Sequence, residues 1–106
     1  MANLHYKQFT LGVEEEYMVI DPVTFELKSH EQKIVSEGQK IIKDKVKAEM
    51  HQAVVEVGTD ICEGIDAAYN DVGLLRKTIA GIAGDLGFAM GASGTHPFSL
   101  WERQLI

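Results

Sequence analysis

Phe9-Thr10-Leu11-Gly12-Val13-Glu14-Glu15-Glu16-Tyr17-Met18-Val19-Ile20 is a mostly apolar run broken by three consecutive glutamates. Its aromatic and β-branched content predicts a long strand over 9–20. Side chains alternate faces along a strand. Phe9, Leu11, Val13, Glu15, Tyr17 and Val19 then share one face, and Thr10, Gly12, Glu14, Glu16, Met18 and Ile20 the other. Glu14 and Glu16 project together. Two neighbouring carboxylates repel and lose hydration unless something positive lies between them. A divalent cation, usually Mg2+ carrying nucleotide phosphates, is the common remedy. The alternative is a strand whose acids simply face water. Glu15 falls on the more apolar face, where it needs a cationic partner or a bulge that turns it outward.

A second long strand is expected over 46–59, with the β-branched centre Ala53-Val54-Val55-Glu56-Val57. On strict alternation Glu56 shares a face with Gln52, Val54 and Gly58, while Glu49 and His51 point the other way. If the two strands are neighbours, Glu56 meets Glu14 and Glu16 in an oxygen-only metal site. A half-exposed strand with one wet face is the alternative. His51 is open to two roles, substrate ligand or hydrogen-bonded structural histidine.

Working outward, Asp21-Pro22 supplies turn chemistry and 25–29 reads as a short returning strand. Ser29 or His30 is placed to cap a helix running to Ile42, with Ile34, Val35, Gly38, Ile41 and Ile42 on one face. Lys40 to Lys47 reads as a solvated helix end and loop, or as a phosphate contact. Residues 60–87 show helical periodicity through Ile65, Ala68, Val72, Leu75, Ile79, Ile82, Ala83 and Leu86. Gly87 suits the position after the helix C-cap. Gly73, Gly81 and Gly84 are poor helix formers, which suggests close packing on a sheet. A strand over 88–93 leads into Gly94-Thr95-His96-Pro97-Phe98. His96, leaving a strand end on a loop, either touches a ligand or locks the turn before Pro97. The element order predicts an α+β fold with helices covering one sheet face.

The 106 residues suffice for one domain, and 45% hydrophobic content is enough to fold it. Sixteen acids against ten bases give a net charge of −6. That argues against a nucleic-acid or anionic-membrane binder, though a bound metal inverts local charge. No apolar stretch is long enough to span a bilayer, and residues 1–8 lack signal-peptide character. The single cysteine, Cys62, excludes an intramolecular disulfide framework, suits a reducing cytoplasm and is expected to be a small buried residue. There is no zinc spacing, P-loop, nucleophile elbow or dinucleotide fingerprint.

Three motifs together carry a resemblance. Residues 9–17 (Phe-Thr-Leu-Gly-Val-Glu-Glu-Glu-Tyr), 51–62 (His-Gln-Ala-Val-Val-Glu-Val-Gly-Thr-Asp-Ile-Cys) and 93–98 (Ser-Gly-Thr-His-Pro-Phe) resemble the opening of the glutamate–cysteine ligase family, in its bacterial carboxylate–amine ligase branch. The resemblance implies a curved, mainly antiparallel sheet, part of a catalytic domain similar to that of glutamine synthetase. It implies that Glu14 and Glu16 match the family's metal-binding strand, Glu56 the second acidic strand, and Glu49 an acidic position seven residues earlier. His51 and His96 lie within family motifs and are taken as cofactor-binding candidates. The implied chemistry is ATP- and Mg2+-dependent amide-bond formation, in which a glutamate-like carboxylate is phosphorylated and an amine acceptor displaces phosphate. Only the N-terminal part of such an enzyme is matched. Further ligands are therefore expected beyond Ile106. The isolated chain is expected to be inactive, or to form a homodimer that covers an open sheet edge.

Overall fold

The computed structural model describes residues 9–48, 53–93 and 96–99. Four strands form one antiparallel sheet: β1 (Glu14–Ile20), β2 (Val46–Ala48), β3 (Val54–Gly58) and β4 (Ala89–Gly91), in the order β2-β3-β1-β4. Helices α1 (Glu31–Ile42) and α2 (Ile65–Asp85) pack together on one sheet face. The fold is α+β, as the element order predicts.

Alternation decides which face is the core. Tyr17 and Val19 of β1, Val55 and Val57 of β3 and Val46 of β2 turn toward the helices. They meet Ile34 and Val35 of α1 and Leu75, Ile79 and Ala83 of α2. Each large aliphatic side chain removed from water there is worth about 1.5–3 kcal/mol. Gly38 marks the tightest point of this layer. A Cβ added there would lie 3.1 Å from both Ile79 Cδ1 and Val46 Cγ1, so α1, α2 and β2 meet where even a methyl group would push its neighbours by a few tenths of an ångström. By contrast, Cβ atoms built at Gly73, Gly81 and Gly84 meet nothing within 4 Å. Those three glycines are not close-packing sites; Gly38 is.

The first expected strand is shorter than the apolar run. Val13 still exchanges bonds with Thr59, its N–H donating to Thr59 Oγ1 (3.0 Å) and its carbonyl accepting from Thr59 N (2.9 Å). Leu11 then pairs with Cys62, one residue out of that register, so Asp60 and Ile61 together stand opposite Gly12. This bulge ends regular pairing, and α2 starts at Ile65. Cys62 is free and buried, as expected.

The second expected strand, 46–59, is two strands. β2 and β3 fold back on each other with Val46 opposite Val57, Lys47 opposite Glu56 and Ala48 opposite Val55. Folding back lets Val46 and Val57 bury on the same helix-facing side, which one long strand would not bring together. Glu49 and His51, and with them the faces read for them by alternation, lie outside the described residues.

Residues 25–29 make only a single bridge, Ile20 with Leu27. Ile41, expected on the buried face of α1, is 64% exposed. It sits in the last turn, just before the chain leaves the helix at Lys43 with φ 55°. The end of α2 follows expectation. Gly87 takes φ 87°, its N–H bonds to Gly84 O (3.1 Å) and Phe88 N–H to Ala83 O (2.8 Å). These are the paired bonds of a Schellman terminus.

Candidate functional site

The sheet face away from the helices carries the acids. Register sets Glu16 of β1 directly opposite Glu56 of β3, and Glu14 opposite Gly58. Facing residues of neighbouring strands lie on one side, with Cβ atoms about 4.5–5.5 Å apart. Glu14, Glu16 and Glu56 therefore occupy one patch contributed by two strands. Lys47 of β2 faces Glu56 from the other side, so a row Lys47–Glu56–Glu16 crosses three strands. Among the described residues, no three His, Cys, Asp or Glu side chains are grouped closely enough to hold a metal ion.

Two features border this row. Beyond Glu16 and Glu56 along their strands come Met18 and Val54, which pack with Leu27 and Ala53 into a small second apolar cluster. At the other end a depression is lined by Glu14, Lys45, Lys47, Glu56, Gly58 and Asp60 among others. Lys45 is anchored there. Its ammonium lies 2.8 Å from Asp60 and 3.5 Å from Asp71 of α2, and the Asp60 carboxylate holds it above the usual lysine range. The segment read as solvated loop thus ties β2 to the start of α2.

Glu15 points to the helix side and finds the cation its position demands. Arg76 of α2 grips it with two nitrogens: Nε donates to Oε1 (2.7 Å) and Nη2 to Oε2. Tyr17 OH also donates to Oε1 (2.7 Å). The Arg76 bond, followed by the Tyr17 bond, holds the Glu15 carboxyl below its ordinary value against the opposing effect of burial. Burial and the neighbouring carboxylate push the Tyr17 phenol well above the usual tyrosine range. The demand for a cation was legible in the sequence; which helical residue would supply it was not.

His96 is buried and uses both ring nitrogens on backbone. Nδ1 accepts from Phe98 N (3.2 Å) and Ser99 N (3.0 Å), and Nε2 lies 2.6 Å from the Phe25 carbonyl. A carbonyl only accepts, so the proton sits on Nε2. These bonds fold the 96–99 turn and tie it to Phe25.

Comparison with known proteins agrees with the three motifs. A family model for glutamate–cysteine ligase family 2 matches residues 10–106. The chain belongs to that family. Relatives named "Putative glutamate--cysteine ligase 2" include one from Herpetosiphon aurantiacus, 48% identical over 96 residues, which are 91% of this chain and 25% of the relative. One from Chloroflexus aurantiacus is 47% identical over 98 residues, covering 92% of this chain and 25% of the relative. One from Solibacter usitatus is 42% identical, covering 92% and 26%. The chain spans about a quarter of the length of these relatives. No described helix is long and apolar enough to cross a membrane.

Proposed function

We propose that this chain supplies the two acidic strands of an ATP- and Mg2+-dependent carboxylate–amine ligase. The observation that carries the proposal is the cross-strand register of Glu16 and Glu56, with Glu14 on the same face. An all-carboxylate donor set suits a hard cation such as Mg2+, which keeps several waters and takes one or two protein carboxylates beside phosphate oxygens. Two facing glutamates match that requirement without a third ligand. Glu14 and Glu49 are the further candidates, and His51 remains a candidate for contact with the nucleotide.

A bound Mg2+ would neutralise phosphate charge during phosphoryl transfer. The chain's own residues have separable tasks. Glu16 and Glu56 would hold the cation from two strands that the Val55–Tyr17 ladder keeps in register. Arg76 and Tyr17 fix Glu15 on the opposite face, so the central glutamate does not compete for the ion. Lys47, beside Glu56, is placed to balance its charge. The complete reaction, joining a glutamate-like carboxylate to an amine through an acyl phosphate, belongs to the full-length protein. The 106-residue chain is proposed not to turn over alone.

A second possibility is a non-catalytic binding or assembly domain of the same fold. Calorimetric titration with ATP separates the two. The ligase proposal requires Mg2+-dependent ATP binding that disappears in Glu16→Ala with folding intact. Binding that is absent, or indifferent to Mg2+ and to Glu16→Ala, favours the assembly domain.

A further inference from the structure

We propose that His96 is a positioning residue for the acidic face, acting through the loop at 21–27 rather than on a ligand. The inference rests on the proposed role of Glu16 and Glu56. The chain of contacts is continuous. His96 receives Phe98 N–H and Ser99 N–H at Nδ1, which folds the 96–99 turn around its own ring. Its Nε2–H reaches 71 residues back to the Phe25 carbonyl. Ser99 Oγ then accepts from Leu27 N (3.3 Å), a second bond between the same two segments. Leu27, 7% exposed, packs with Met18 and Val54. Met18 stands two residues beyond Glu16 on β1, and Val54 two residues before Glu56 on β3, both on the acidic face.

The loop needs this grip. Phe25 adopts φ 64°, a left-handed conformation that a bulky residue occupies only where its surroundings over-determine it. Asp21 holds the loop from within, its carboxylate accepting from Val23 N (2.8 Å) and Thr24 N (3.0 Å) and its carbonyl from Phe25 N (2.8 Å). His96 holds it from outside, on the one Phe25 group that Asp21 does not reach. With both nitrogens engaged, the ring has no lone pair or proton left for a substrate. Its influence on the acidic row passes through Leu27.

The test is Mn2+ affinity, measured by electron paramagnetic resonance, together with the ring tautomer from nitrogen-15 spectra. His96→Ala is expected to weaken Mn2+ binding by roughly 10-fold, the usual effect of removing a supporting group around a metal site. His96→Asn, which keeps an acceptor near the Nδ1 position, should recover part of the loss. Ser99→Ala should weaken binding to a lesser degree and serves if His96→Ala fails to fold. The wild-type ring should show the proton on Nε2. A proton on Nδ1, or wild-type affinity in both His96→Ala and Ser99→Ala, overturns the inference alone. No Mn2+ binding by the wild type overturns the acidic-site proposal and this inference with it.

Discussion

Glu16 of β1 faces Glu56 of β3 across the middle of the sheet, with Lys47 of β2 next in the same row. Two carboxylates as direct cross-strand partners are an unfavourable pair by themselves. A cation shared between them would relieve that repulsion. Replacing Glu16 or Glu56 by Gln should therefore leave the fold intact, with an unchanged far-UV circular dichroism spectrum. The loss should appear in Mg2+-dependent ATP binding.

Glu15 is the opposite case, a carboxylate whose value is structural. Its folded-state pKa lies below the ordinary value of 4.5 because of Arg76 and Tyr17. A depressed carboxyl contributes stability above its unfolded pKa and loses it as pH falls through the folded value. The melting temperature of the wild type should drop on acidification below about pH 4.5, the ordinary value. In Glu15→Gln and Arg76→Ala it should start lower at pH 7 and show a smaller acid-induced fall. Equal acid sensitivity in all three proteins would remove Glu15 from this role.

Glu31 opens α1 almost fully buried, at 3% exposure, and its Oε2 has no hydrogen-bond partner among the described residues. Burial raises its pKa, so the penalty for the charged form grows as pH rises through the folded value. The helix N-terminus favours a negative charge by about 0.3–1 kcal/mol, less than the 1–3 kcal/mol or more for an unsatisfied buried group. Glu31→Gln keeps polar atoms at this place but removes the cost of a buried charge, so it should stabilise the chain at pH 7. The gain should vanish near pH 4, where both side chains are neutral. Chemical denaturation at the two pH values checks the sign.

Glycine substitutions separate the packed helix position from the open ones. Gly81→Ala adds a methyl group where nothing lies within 4 Å, so it should gain about 0.8–1 kcal/mol of helix propensity. Gly38→Val must displace Ile79 and Val46 and should cost about 1–3 kcal/mol. Thermal unfolding of the two variants should move in opposite directions.

Much of the fold was legible where periodicity was long. The apolar spacing from Ile65 to Leu86 specified α2, and Gly87 specified its end. The acidic face was legible because alternation alone puts Glu14 and Glu16 together. The hairpin between β2 and β3 was not, because Val46–Ala48 and Val54–Gly58 both read as strand and register is a tertiary property. The same gap hid Lys47 opposite Glu56. Gly12 and the bulge at Asp60–Ile61 end the first strand's regular pairing by backbone geometry, which no side-chain pattern there announced. The tie from His96 to Phe25 spans 71 residues, and only the folded chain shows it.

A double-mutant cycle on Mn2+ affinity bears most directly on the shared cation. Wild type, Glu16→Gln, Glu56→Gln and the double variant would be titrated at one pH and ionic strength. If both glutamates hold one ion, each single change should abolish most of the binding and the second should add little. Unchanged affinity in either single variant, or losses that simply add, would mean that the two carboxylates do not share a metal.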